Sequence, residues 1–219
     1  MKRNLKFWTR HTWESIGVDM IFVAVFSGIL VLNNSGIDWA MLISAVPLFL
    51  IVAAIFGMIL INSSTQMLYC PLLLSMGETR RNVFFGFCYF RVLVIGVTTI
   101  LCGLVWFITP SEVSAAGLGS LSNIFFVLVS ASSIGNLIGT LYVKCKWVSV
   151  VMLALVGGVG GALGGFLASA SADMEQINVM KATSLLREMP WWIALVAFAL
   201  FAGDLFFHWM LLRKQEVKF

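Results

Sequence analysis

Charge is what this sequence has least of. Only 11% of its 219 residues are Asp, Glu, Lys or Arg, against about one-quarter in an ordinary soluble domain. Sixty per cent are hydrophobic, and the mean hydropathy is +0.99. That leaves too little polar surface to cover a soluble globule and predicts an all-α, polytopic membrane protein. Chemistry-bearing motifs are scarce as well. No GxxxxGK[ST] stretch is present to cradle nucleotide phosphates, and no HExxH or carboxylate cluster points to a metal site. Histidine occurs only as His11 and His208. Gly117-Leu118-Gly119-Ser120 is not the GxSG of an intramembrane serine protease, and Ser120 and His208 fall near opposite expected faces, so the two cannot meet. Cys70, Cys88, Cys102 and Cys145 show neither CxxC nor Cys/His spacing. Two of them sit in expected loops and two in a span, and they read as small apolar residues or reduced thiols. Long loops are missing too, which leaves no room for a soluble catalytic domain and argues against an enzyme.

What is present is a series of long apolar stretches. A bilayer core takes about 20 apolar residues per helix, and six stretches qualify: roughly 18–34, 41–64, 84–108, 119–143, 148–170 and 190–212. No small-residue cleavage site follows the basic N-terminus, so the first span is expected to be retained. Six spans put both termini on one side. That side collects Lys2, Arg3, Lys6, Arg10, Arg80, Arg81, Lys144, Lys146, Arg213, Lys214 and Lys218, while the other has Lys181 and Arg187. Both termini are therefore expected in the cytoplasm. Tryptophans favour the headgroup level, and Trp39, Trp106, Trp147, Trp191, Trp192 and Trp209 all fall at expected span ends.

Residues 4–16 form a basic amphipathic pattern. At 100° per residue Leu5, Trp8, Thr12 and Ile16 share one face, and Arg3, Lys6, Arg10 and Glu14 the other, which suits a helix lying in the inner headgroup layer. Residues 171–189 mix charge with good helix formers and predict a short helix on, or dipping into, the outer leaflet.

Three features stand out from plain membrane-spanning chain. The first is the polar island 72–86, in which Met76, Gly77, Glu78, Arg80 and Arg81 interrupt two apolar runs. Either the arginines only set topology, or the island meets a soluble partner through charge-assisted contacts. The second is a stripe of Gly157, Gly161 and Gly165, spaced by four, suited to close helix packing or to a hinge or re-entrant turn. Gly135 and Gly139 repeat that spacing once. The third is a set of ionisable residues within spans, Asp19, Arg91, Asp204 and His208. Such groups are costly in lipid. Arg91 lies about 10 Å from the inner end of its helix, and Asp204 and His208, four apart, face the same way. Pairing of Arg91 with Asp204 or Asp19 and a substrate- or proton-coupling role both remain open.

In layout, and in the stretch Leu74-Ser75-Met76-Gly77-Glu78-Thr79-Arg80-Arg81-Asn82-Val83-Phe84-Phe85-Gly86, the chain resembles a permease of the second ABC-exporter superfamily, the drug, polysaccharide and lantibiotic type. Members often carry small/aromatic–Gly–x–x–Arg–x–x–Phe after the second span, resembled here by Met76, Gly77, Arg80 and Phe84, with Phe84 one residue farther on than the pattern places it. The compact form resembles exporters of phenol-soluble modulins or of lantibiotic immunity. The resemblance implies a homodimer or a pair of homologous permeases in the plasma membrane of a Gram-positive bacterium, with two copies of a separate ATPase. ATP and Mg would sit on that partner, and this chain would hold no cofactor or metal. Residues 4–16 would be the elbow helix, 68–82 a coupling helix docking on the ATPase, and 165–189 a re-entrant outer gate. Membrane lipids, and no nucleic acid, complete the implied partners. Hydroxyls and amides at Asn62, Ser63, Ser64, Ser130, Ser132, Ser133 and Asn136 would suit the passage of amphipathic peptide, drug or lipid-like cargo. Two other readings stand beside this one: an ion-coupled secondary carrier, and a non-transporting immunity or assembly protein.

Overall fold

The computed structural model describes residues 6–18, 20–21, 39–108, 117–148, 150–152, 154–155, 157–158 and 190–214. All of their regular structure is helical. A helix over 6–18 (α1) comes first. Then follow α2 (Trp39–Ser64), a π-helical turn (Thr65–Tyr69), α3 (Cys70–Ser75), α4 (Arg80–Ile108), α5 (Gly117–Lys144) and α6 (Trp192–Lys214). Four stretches are long and apolar enough to cross a membrane: Leu50–Ser75, Arg80–Phe107, Leu121–Val143 and Trp192–Arg213. They mark the chain as a helical membrane protein. Most of the expected first span (18–34) and of the fifth (148–170), and the outer segment 165–189 with its helix, lie outside the described residues, as do Asp19, Gly161 and Gly165.

The second span differs from its expected bounds. Asn62, Ser63, Ser64, Thr65 and Gln66 read as the end of an apolar run, yet the helical path continues through them to Ser75. It continues because these polar groups find partners inside the protein. Asn62 Nδ2 donates to Met58 O (2.8 Å), Ser63 Oγ to Leu60 O and Ser64 Oγ to Ile61 O (3.0 Å each). The widened turn follows directly, and Thr65 and Gln66 within it are buried. Cys70, placed by the sequence in a loop, therefore lies buried within this path, where Cys70 Sγ donates to Gln66 Oε1 (3.2 Å).

Residues 68–82 are not a separate coupling helix. They form the end of the α2–α3 path, a tight turn and the start of α4, and the local sequence explains each part. Gly77 adopts φ 85°. Glu78 N donates to Leu73 O and Gly77 N to Leu74 O, both at 3.1 Å, the paired bonds of a Schellman stop, for which glycine is preferred. Two residues on, Thr79 starts α4: its Oγ1 accepts from Asn82 N (3.3 Å) and its carbonyl from Val83 N (3.0 Å), as an N-cap does.

α5 is the hub and packs on α2, α4 and α6. Its closest approach is to α2, at Gly135 and Gly139. A Cβ at Gly135 would lie 2.9 Å from Ile59 Cα, and one at Gly139 would lie 2.8 Å from Ser63 O. Small residues spaced by four let backbones meet in this way in lipid, where packing rather than water exclusion drives association. α1 docks on the same bundle. Trp8, Thr12 and Ile16 are buried and Lys6, Arg10 and Glu14 exposed, so the expected amphipathic face meets protein. The Trp8 ring lies against Phe87 and Phe90, over Gly86, where a Cβ would run into the indole. Trp106, expected at the headgroup level, is buried in the core.

Candidate functional site

Two places gather the residues that the sequence singles out. The first is a polar network inside the bundle. Arg91 of α4 and Asp204 of α6, both at 0% side-chain exposure, form an ion pair with Nη1 2.6 Å from Oδ2. The remaining guanidinium donors go to α5: Nε donates to Ser132 Oγ (3.0 Å) and Nη2 to Ser133 Oγ (3.2 Å). Asn136 Nδ2 of α5 donates to the other carboxylate oxygen at 2.6 Å. The guanidinium also sits over the Phe201 ring, 4.6 Å from its centre. A buried charge is tolerated only when paired and hydrogen-bonded, and here three helices supply the partners.

One turn from Asp204, His208 continues this polar seam. Its Nδ1 lies 2.8 Å from Gln66 Nε2, in the π-helical turn. With the amide nitrogen donating, Nδ1 accepts and the proton sits on Nε2, which has no hydrogen-bond partner among the described residues. The ring is held between Phe84 and Phe87. Across the same π-helical turn, His11 Nε2 of α1 lies 3.1 Å from Thr65 Oγ1, and its ring stacks on Phe90. Burial holds the His11 pKa below its ordinary 6.5, against a smaller upward pull from Glu14.

Ser132, Ser133 and Asn136, which the sequence offers as a cargo lining, are fully buried and engaged by the ion pair or by the backbone. Asn62 and Ser63 are likewise buried. The sequence reading passed over Gln66, and it did not see Ser132, Ser133 and Asn136 as ligands of the pair. A signal existed for part of this, because Ser132, Asn136 and Thr140 recur every four residues in an otherwise apolar span. None announced the π-helical turn.

The second place is the end of the bundle where α3 meets α4 and α6 ends. Met76 is 74% exposed, Gly77 and Thr79 are exposed, and Glu78 is half-buried, with its Oε2 accepting from Asn82 Nδ2 (3.3 Å). Arg80 turns toward α6, and Arg81 lies back along α4, instead of continuing the tip. Arg80 Nη1 donates to Arg213 O (2.8 Å), and the Arg81 guanidinium lies 5.6 Å from the centre of the Phe85 ring. The five island residues thus divide into a tip and a side.

Of the glycine stripe, only Gly157 lies among the described residues, and a Cβ there would meet none of them within 4 Å. Among the described residues, the close approach of one helix backbone to another belongs to Gly135 and Gly139. Among the described residues no three His, Cys, Asp or Glu side chains come together to hold a metal ion. Comparisons with family models, with curated proteins and with solved structures each find no match to this chain.

Proposed function

We propose that this chain is the membrane-spanning subunit of an ATP-driven exporter in a bacterial plasma membrane. It would work as a pair of permeases with two copies of a separate ATPase that binds ATP and Mg, and would move amphipathic peptide, drug or lipid-like cargo outward. In this reading both termini are cytoplasmic, six helices span, and the tip at 76–79 docks on the ATPase. The observation that carries it is the tip itself. It is a short, rigidly specified turn joining two membrane-length helices, with an apolar Met76 fully presented and a carboxylate beside it. In an ATP-driven reading, a chain with no phosphate-cradling motif takes its energy from a partner, and a partner needs a stiff handle. The turn is stiff because both flanking helices are capped by its own residues. α1, docked beside the π-helical turn, supplies the adjoining elbow.

The carrier reading has less support. Its natural site, the Arg91–Asp204 pair, is sealed from solvent and bonded to Ser132, Ser133 and Asn136 of α5.

The test is co-purification with the ATPase encoded beside this chain. Met76→Asp and Glu78→Arg are expected to abolish the complex and the cargo-stimulated ATP hydrolysis while the chain stays folded. A wild-type chain that captures no ATPase, or variants that capture it and stimulate it unchanged, would sink the reading.

A further inference from the structure

Beside the tip, α4 and α6 part to leave an open groove of about 420 Å³, lined by Arg81, Phe84, Phe85, Leu205, Phe206 and Trp209. Its floor and walls are aromatic and aliphatic, and none of its lining residues is acidic. Phe206 is 69% exposed and Phe85 56% exposed, so the groove is lined by rings that the described residues leave uncovered.

Its rim is cationic. The Arg81 guanidinium is held over Phe85, and that of Arg213 lies 5.3 Å from the centre of the Trp209 ring. Each rim cation therefore rests on a ring that lines the groove. Neither is in an ion pair among the described residues. The nearby carboxylate of Glu78 is turned to Asn82, while Asp204 is consumed by Arg91. The bond from Arg80 Nη1 to Arg213 O puts the start of α4 and the end of α6 at one level. From that level Phe206, seven residues before Arg213, lies about 10 Å deeper along α6. Charge at the rim and exposed rings about 10 Å below match the span from a phosphate to the upper part of an acyl chain.

We propose that this groove binds one anionic glycerophospholipid from the leaflet on the basic side, its phosphate between Arg81 and Arg213 and one acyl chain along Phe85, Phe206 and Trp209. Guanidinium groups suit phosphate because they are planar forks that donate two bonds at once, and stacking on rings restrains them before the lipid arrives. A neutral lipid would fill the apolar slot but leave the two cations unmatched, so selection falls on charge. The site sits beside the tip proposed to dock the ATPase and shares the start of α4 with it. It rests on the membrane placement of the helices and not on the ATP-driven reading, so either can fail without the other.

The test is native mass spectrometry of the purified full chain released from nanodiscs that contain phosphatidylcholine and phosphatidylglycerol. The wild type is expected to retain one phosphatidylglycerol in preference to phosphatidylcholine. A basic residue near the surface is worth about five-fold in binding an anionic lipid, so R81Q/R213Q is expected to lower retention about twenty-five-fold. Arg10→Gln, the loss of one charge on the exposed face of α1, should leave retention unchanged. Phe206→Ala, a change at an exposed side chain that keeps every charge, should lower it several-fold. Equal retention of the two lipids by the wild type, equal loss in Arg10→Gln and R81Q/R213Q, or a second polypeptide cross-linked across Phe206 with no lipid retained, would each overturn the proposal.

Discussion

Replacing Asp204 with Leu isolates the strongest single interaction in the bundle. The substitution leaves the Arg91 guanidinium, wholly out of solvent, with two serine hydroxyls and ring faces as its remaining partners. It also removes the acceptor of Asn136 Nδ2. Removing one member of a buried pair costs about 3–5 kcal/mol, because the orphaned charge keeps its full desolvation penalty. At roughly 2–4 °C per kcal/mol for a chain of this size, the melting temperature should fall by about 6–20 °C. Arg91→Met/Asp204→Leu removes both charges and fills the space with apolar groups. It should therefore be more stable than Asp204→Leu alone, with a coupling of about 2 kcal/mol or more in the double-mutant cycle. Unfolding in mixed micelles of rising sodium dodecyl sulfate, followed by far-ultraviolet circular dichroism, measures all four proteins. An Asp204→Leu cost below about 1 kcal/mol, or a double variant that loses the sum of the singles, would refute the view that the pair pins α4, α5 and α6 together.

Two further outcomes are expected. Gly139→Val should cost about 1–3 kcal/mol by forcing α5 away from Ser63 and Gln66 of the α2 path, whereas Gly157→Ala, whose Cβ meets none of the described residues within 4 Å, should stay within about 0.5 kcal/mol of wild type in the same unfolding assay. For α1, the lowered pKa of buried His11 means that the undocked helix binds more protons than the docked one between that value and 6.5. Docking is thus fully present above the ordinary pKa and weakens as pH falls through the window. Amide hydrogen exchange over 6–18, corrected for intrinsic rate, should show faster opening near pH 5.5 than near pH 7.5 in wild type and a flat profile in His11→Gln.

Much of the backbone was legible because its causes are local. Apolar runs of membrane length mark α4, α5 and α6 with small changes at their ends. Gly77 and Thr79 stop one helix and start the next through bonds made within a few residues of themselves. The faces of α1 follow from periodicity alone. The second span failed where local reasoning must fail: Asn62 to Gln66 look like an exit from the membrane until α1, α5 and α6 are placed around them. The glycines show the same limit from the other side. Gly157 belongs to the longer stripe, yet Gly135 and Gly139 are the ones a neighbouring backbone approaches, and spacing cannot say whether a neighbour is there.

By itself, then, the sequence determined that the chain is helical and apolar enough for a membrane, that a polar island at 72–86 interrupts its apolar runs, and that Arg91, Asp204 and His208 carry a cost needing an explanation. Tertiary structure alone decided how that cost is met. Arg91 found its carboxylate 113 residues away, a ring on the same helix as that carboxylate and its hydroxyls on a third helix, while His208 met an amide in a π-helical turn that no local pattern foretold. Desolvation penalties are set residue by residue, but the partners that offset them are set by which helices lie side by side, and in lipid that choice rests on the close fit of whole surfaces.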